Sequence, residues 1–221
     1  MNSMGLASVH VADAASSFKM ICIGLLDMAY SELCSAKVIT RDFDENAITE
    51  ALAYCINANP ATIKMHITAI TEKKLLPEGL QDVLPTVDNA YRIDVKLGGF
   101  GWSGEEYRTE YYMEAKNLYC QSFTKTGNTS ITSPGRYAQR YIDTGIDNLL
   151  NGHYTSDTLL LGYVLVGTVK EAVDLLNHYL TKRTRGTEMI APHNYAEFPH
   201  IQIGRSLHPN SVTLEHCFLS F

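Results

Sequence analysis

The amino-acid sequence predicts an α/β protein, a three-layer α/β/α domain around a central mixed β-sheet. Three observations carry that prediction. Segments with helical spacing alternate with short β-branched segments along the chain. Tyr91 to Leu97, YRIDVKL, alternates strictly between apolar and polar residues, as a strand with one face in a core does. Leu159 to Val166, LLLGYVLV, is an unbroken apolar run bounded by turns, which suits a strand buried on both faces.

The elements follow in order. Phe18, Ile21, Leu25, Met28 and Ala29 recur at helical spacing and predict a helix from about Ala12 to Cys34. Lys19, Asp27 and Glu32 make this a core helix rather than a membrane span. A second helix runs from about Glu45 to Asn57, with Asp44 as its N-cap and Asn59-Pro60 as its stop. Lys64 to Thr71 reads as a strand, with a short helix as the alternative, and Pro77 and Gly79 mark a turn after it. After Leu97, GGFGWSGEE is a turn, and Tyr111 to Leu118 is a second alternating strand, so the two strands predict an antiparallel hairpin. Gln121 to Pro134 is polar and reads as a mobile loop. A helix from about Arg136 to Asn151, the Leu159 strand, an amphipathic helix from Val169 to Lys182, and strands at His200 to Gly204 and Val212 to Phe221 complete the chain.

The 221 residues are 45% hydrophobic and 19% charged, enough apolar material for one large core and too little charge for a coiled coil or disordered tail. No repeat or linker divides them, so residues 1–221 read as a single domain, with a core of about 45–166 and the N-terminal helix and C-terminal strands packed on it. A net charge of −6 argues against coating nucleic acid by bulk charge and leaves room for a local basic strip. The 5 cysteines include no C-x-x-C pair, which predicts free thiols in a reducing cytoplasm rather than disulfides or a zinc site. The start of the chain shows no basic region followed by an apolar one, so no signal peptide and no membrane partner is expected.

The chemistry concentrates on the hairpin. Asp94 points away from Ile93 and Val95, and Glu114 and Lys116 share a strand face two residues apart. In an ordinary register the three meet. Two carboxylates suit Mg²⁺, a hard cation that takes oxygen ligands. A metal there lowers the pKa of bound water, and an adjacent ammonium orients that water or neutralises a phosphate. The alternative is a solvated strand edge, since E-x-K triplets also arise by chance.

On Asp94 in YRIDVKL, on Glu114-Ala115-Lys116 in YYMEAKNLY, and on the element order, the sequence resembles the PD-(D/E)xK nuclease superfamily, the restriction-endonuclease-like fold, over roughly residues 45–166. The resemblance implies a Mg²⁺-dependent nuclease, with Mn²⁺ as a substitute. It implies Asp94 and Glu114 as metal ligands and Lys116 as the catalytic lysine. No Pro precedes Asp94, where many members have one. Many members also carry an acid on the preceding helix. Glu45 fits that role better than Glu50, because it shares a face with Ile48 and Leu52. A charge placed to suit the helix macrodipole is the alternative for Glu45.

Arg136 and Arg140 lie four apart at the start of the next helix, beside Gln139, with Lys125 in the loop before them. They predict a basic strip that touches phosphates, with Tyr137 or Tyr141 beneath, against the alternative of a solvated face. The 8 histidines match no metal spacing, and Cys217 lies in the terminal strand CFLSF rather than in a nucleophile motif. The expected function is a DNA endonuclease of restriction or defence type. The rival is a catalytically inactive nuclease-fold module that binds nucleic acid or a partner protein. A homodimer would give a double-strand cut its two active sites.

Overall fold

The computed structural model describes residues 4–75, 91–99, 109–127, 130–131, 133–152, 158–193 and 195–221, with side chains from 15 onward except 73–75 and 91–92. The turn around Pro77 and Gly79 and most of the turn after Gly99 lie outside the described residues. The elements are α1 (Met4–Ala36), α2 (Glu45–Ala58), α3 (Pro60–Lys64), β1 (Ile67–Leu75), β2 (Tyr91–Gly99), β3 (Thr109–Tyr119), β4 (Phe123–Thr124), β5 (Ser130–Ile131), α4 (Pro134–Arg140), a π-helical turn (Tyr141–Ile146), α5 (Asp147–Leu150), β6 (Leu159–Val166), α6 (Val169–Lys182), β7 (Ala191–Pro192), β8 (Gln202–His208) and β9 (Val212–Ser220).

Seven strands form one mixed sheet in the order β1-β2-β3-β6-β9-β8-β7. The β3–β6 and β6–β9 pairs are parallel, and the pairs β1–β2, β2–β3, β8–β9 and β7–β8 are antiparallel. Period-two alternation sends the two faces of β6 into different cores; on β2 the alternation expected over 91–97 breaks at Asp94, where the β1–β2 pairing skips a residue, so Ile93 packs in one core and Val95 and Leu97 in the other. On β6, Leu159, Leu161, Tyr163 and Leu165 pack with Phe18, Leu25 and Leu26 of α1 and Ile48, Leu52 and Ile56 of α2. Leu160 and Val164 pack with Ala138, Tyr141 and Ile142 and with Leu176 and Leu180 of α6. The fold is therefore three-layered, α/β/α, with the mixed sheet in the middle. Gly162 on β6 is a spatial necessity: a Cβ there would meet Phe218 at 2.7 Å and Leu118 at 2.9 Å. No helix among the described residues is long and apolar enough to cross a membrane.

Local chemistry starts two of the helices. The Asp44 carboxylate accepts the Ala47 N–H at 2.8 Å and starts α2, as its N-cap position predicts. Thr168 and Glu171 form a reciprocal capping box at the start of α6.

Several sequence expectations need correction. Helix α1 spans Met4–Ala36 and is longer at both ends than its apolar spacing shows. The Lys64–Thr71 stretch is divided: Lys64 ends α3, and the strand starts at Ile67 and runs to Leu75. The 121–134 stretch contains a two-stranded ribbon, β4–β5, and Thr126 after β4 donates its N–H to Asp42 Oδ1 at 3.1 Å. The helix read from Arg136 to Asn151 has a π turn in its middle. The strand read at His200–Gly204 lies at Gln202–His208. Finally, β2 was expected to bury one face only. Lys96 on its polar face is nonetheless 1% exposed. It is held there by an ion pair with Glu110 and by the ring of Tyr112, 5.8 Å away.

Candidate active site at a break in the sheet

The β2–β3 ladder runs from Gly99↔Thr109 to Val95↔Met113 and stops there, although β2 begins at Tyr91 and stays paired to β1. Past Met113, the β3 edge that faced β2 has lost its partner strand. Two of its backbone N–H groups are taken by carboxylates instead. Ala115 N–H donates to Asp94 Oδ2 at 2.7 Å, and Asn117 N–H donates to Glu45 Oε2 at 2.9 Å. Buried backbone donors need such partners. The Ala115 carbonyl accepts from Lys116 Nζ at 2.7 Å.

Lys116 Nζ lies at the centre of three carboxylates. It is hydrogen-bonded to Glu114 Oε1 and is 3.8 Å from both Asp94 Oδ2 and Glu45 Oε1. The opening admits side chains from both helical layers. Glu45 comes from α2, and Arg140, from α4 on the opposite face of the sheet, reaches Glu45 Oε1 at 3.1 Å. The four residues expected to be catalytic therefore converge, while Glu50 is exposed and outside the group.

The cluster is short of positive charge. Three carboxylates face two cations. Glu114 is 4% exposed, and burial pushes its carboxyl up to about 7; Lys116 opposes the shift, and the charge on Asp94 adds to it. Burial likewise raises Glu45, against Lys116 and Arg140. Glu114 Oε2 and Asn117 Oδ1 are buried with no hydrogen-bond partner among the described residues. In donor chemistry the carboxylates fit a hard divalent cation, and the unpartnered Glu114 oxygen is a free ligand atom. They are not a ready-made cage: among the described residues no group of three or more His, Cys, Asp or Glu side chains is arranged to hold an ion. Cation binding therefore requires the Lys116 ammonium to give way.

Beside the cluster is an open cleft of about 310 Å³, whose lining includes Glu45, Asn117, Lys125, Tyr137 and Arg140. The expected basic strip is only partly there. Arg140 is engaged with Glu45 as well as facing the cleft, so it is not a free phosphate contact. Arg136 is exposed, and Gln139 is half-buried. Lys125 donates to the Asp42 carbonyl at 3.1 Å. Tyr137 packs edge-on against Tyr119, and Tyr141 is fully buried in the core.

A second polar group, which the histidine spacings do not disclose, runs through the layer around the π turn. Tyr141 Oη lies 3.0 Å from His216 Nδ1, His216 Nε2 is 2.7 Å from Ser206 Oγ, and Ser206 Oγ is 2.7 Å from His208 Nε2. His208 Nδ1 bonds Glu188, which Arg185 also holds at 2.8 Å. One set of tautomers satisfies every link, with each donor pointing toward Glu188. The only sequence trace is Ser206 and His208, two apart on one strand face. All 5 cysteines are free thiols.

No known family, curated protein or solved structure matches the chain.

Proposed function

We propose that the chain is a metal-dependent phosphodiesterase of the PD-(D/E)xK type, a nuclease acting on DNA. The observation that carries this reading is the convergence of Asp94, Glu114 and Glu45 on Lys116 at a break in the sheet, with one buried Glu114 oxygen left without a partner. A structural core has no use for so many partly compensated charges, because buried ionic groups rarely stabilise a fold over apolar ones.

In the proposed site Asp94 and Glu114 hold the cation, Mg²⁺ or Mn²⁺, with Glu45 as a third carboxylate. Such a cation supplies charge neutralisation and a bound water of lowered pKa. With a cation bound, Lys116 would leave Glu114, and its ammonium would orient the attacking water or neutralise a phosphate oxygen. Lys125 and Arg140 position the strand in the cleft through its phosphates. The five free thiols support a cytoplasmic protein, and a homodimer would suit a double-strand cut.

The rival, a nuclease-fold module that binds without cutting, has one observation in its favour. The carboxylates and Lys116 already satisfy the exposed edge of β3, which is what a purely structural clamp would do. Incubation of the purified protein with plasmid, linear duplex and single-stranded DNA in Mg²⁺ or Mn²⁺ separates the two. The nuclease reading expects cleavage of at least one substrate. Binding without cleavage on all of them supports the module.

A further inference from the structure

Glu45 stands between the carboxylate cluster and the cleft. Its Oε2 is fixed by the Asn117 N–H, and its Oε1 meets Arg140 Nη2 at 3.1 Å and Lys116 Nζ at 3.8 Å. The Glu45 side chain is 12% exposed, whereas that of Arg140 is 52% exposed and lines the cleft. Arg140 thus has one end of its reach on a buried carboxylate and the other in solvent, where a second anion can compete for it. A phosphate competes well, because a guanidinium grips it through two parallel hydrogen bonds. Lys125 lines the same cleft, held on the Asp42 carbonyl at 3.1 Å and near the Asp42 carboxylate, and brings a second positive charge to it.

The backbone under Arg140 is fixed. It is the last residue of α4, and the next residue, Tyr141, is fully buried and tied to His216 at 3.0 Å. Any exchange between the two anions is therefore a swing of the side chain, not of the helix.

We infer that Arg140 is a gate between cleft and cluster, an inference that rests on the nuclease reading. With the cleft empty, its guanidinium neutralises Glu45. A phosphate of a nucleic-acid strand entering the cleft draws the guanidinium away and removes one of the two cations on Glu45 Oε1, so that a divalent cation has only Lys116 to displace. The strand and the cation then strengthen each other's binding by one common factor, as linkage requires. The cluster fills with metal chiefly when substrate is present.

The test is Mn²⁺ affinity, read by calorimetry without turnover. It is measured for wild type alone, with a cleavage-resistant phosphorothioate oligonucleotide, and with sulfate. The same titrations are made on Arg140→Ala, Arg140→Gln and Arg136→Ala. Arg136 is an exposed cation one helical turn away with no ion pair among the described residues, so it controls for charge alone. The gate predicts that the oligonucleotide tightens Mn²⁺ binding to wild type by about 5–150-fold, the usual span of such couplings. Both Arg140 variants should bind Mn²⁺ more tightly with no oligonucleotide and lose most of the further gain; Arg136→Ala should behave as wild type. Mn²⁺ binding by wild type that neither Arg140 variant alters, or that Arg136→Ala alters equally, overturns the gate. An equal effect of sulfate overturns the role of the strand. No Mn²⁺ binding by any variant, with or without oligonucleotide, overturns the metal-site reading beneath it.

Discussion

Two buried polar clusters in this protein are built to opposite rules. The chain Tyr141–His216–Ser206–His208–Glu188–Arg185 is complete: every link has a partner, and it ends in a paired carboxylate. Burial lowers the pKa of both histidines, to about 3 for His216, so they are held neutral. Burial pushes Glu188 up, but the Arg185 and His208 hydrogen bonds outweigh it and leave its carboxyl low. The cluster of Asp94, Glu114, Glu45 and Lys116 is incomplete. It has an excess of carboxylates, an oxygen with no partner, and a Glu114 raised to about 7. Fully satisfied networks fix a unique core, whereas perturbed carboxylates mark candidate functional sites. One cluster is fully paired, and the other leaves a buried carboxylate oxygen unpaired among the described residues.

The largest expected effect lies on the incomplete side. Lys116→Ala should lower cleavage by about 10²–10⁴-fold, the usual range of acid–base assistance. Glu114 can take up a proton in place of its lost partner, so circular dichroism should show a folded protein. Cleavage at the wild-type rate would move Lys116 into the structural category and erase the contrast.

Next comes the complete side. Ser206→Ala should destabilise the fold by about 2–5 kcal/mol, because it orphans the His216 donor and the His208 acceptor together. Denaturant titration reads this directly. A cost below about 0.5 kcal/mol would show that the chain does not hold the core.

The smallest effect sharpens the comparison through its sign with pH. A carboxyl raised in the fold contributes stability that is full below its unfolded value near 4.5 and is lost as pH rises toward 7. The neutral histidines behave in the opposite way: their contribution is full above 6.5 and is lost as pH falls. Glu114→Gln should therefore raise metal-free stability at pH 8 and flatten the decline between 4.5 and 7, leaving the histidine limb in place. A melting series across pH in which Glu114→Gln parallels wild type would remove the cluster's electrostatic strain from the account.

Much of this was legible before the structure. The alternation of 91–97 and 111–118 gave the two strands, E-x-K gave the shared face of Glu114 and Lys116, and Asp44 marked the start of α2 and so the place of Glu45. These are local signals, each read within a few residues. The ladder break was not legible, because the loss of pairing past Met113 is a tertiary event and the substitution of carboxylates for strand partners has no local pattern. The burial of Lys96 was not legible either, since alternation shows polarity and not that Glu110 and Tyr112 of the next strand enclose the polar face. Arg140 was read as a phosphate contact because i, i+4 spacing cannot show that Glu45 reaches it through the sheet. The buried chain draws on residues 141, 188, 206, 208 and 216, too dispersed for any window along the sequence.

The central claim is that the incomplete cluster is completed by a divalent cation. Calorimetric titration of Mg²⁺ into the wild-type protein and into Asp94→Ala and Lys116→Ala, each with the cleavage-resistant phosphorothioate oligonucleotide bound, tests it most directly. The account predicts one Mg²⁺ bound by wild type, none by Asp94→Ala, which loses an oxygen ligand, and retained or tighter binding by Lys116→Ala, which loses only a competing ammonium. Absence of Mg²⁺ binding in both wild type and Lys116→Ala would contradict it.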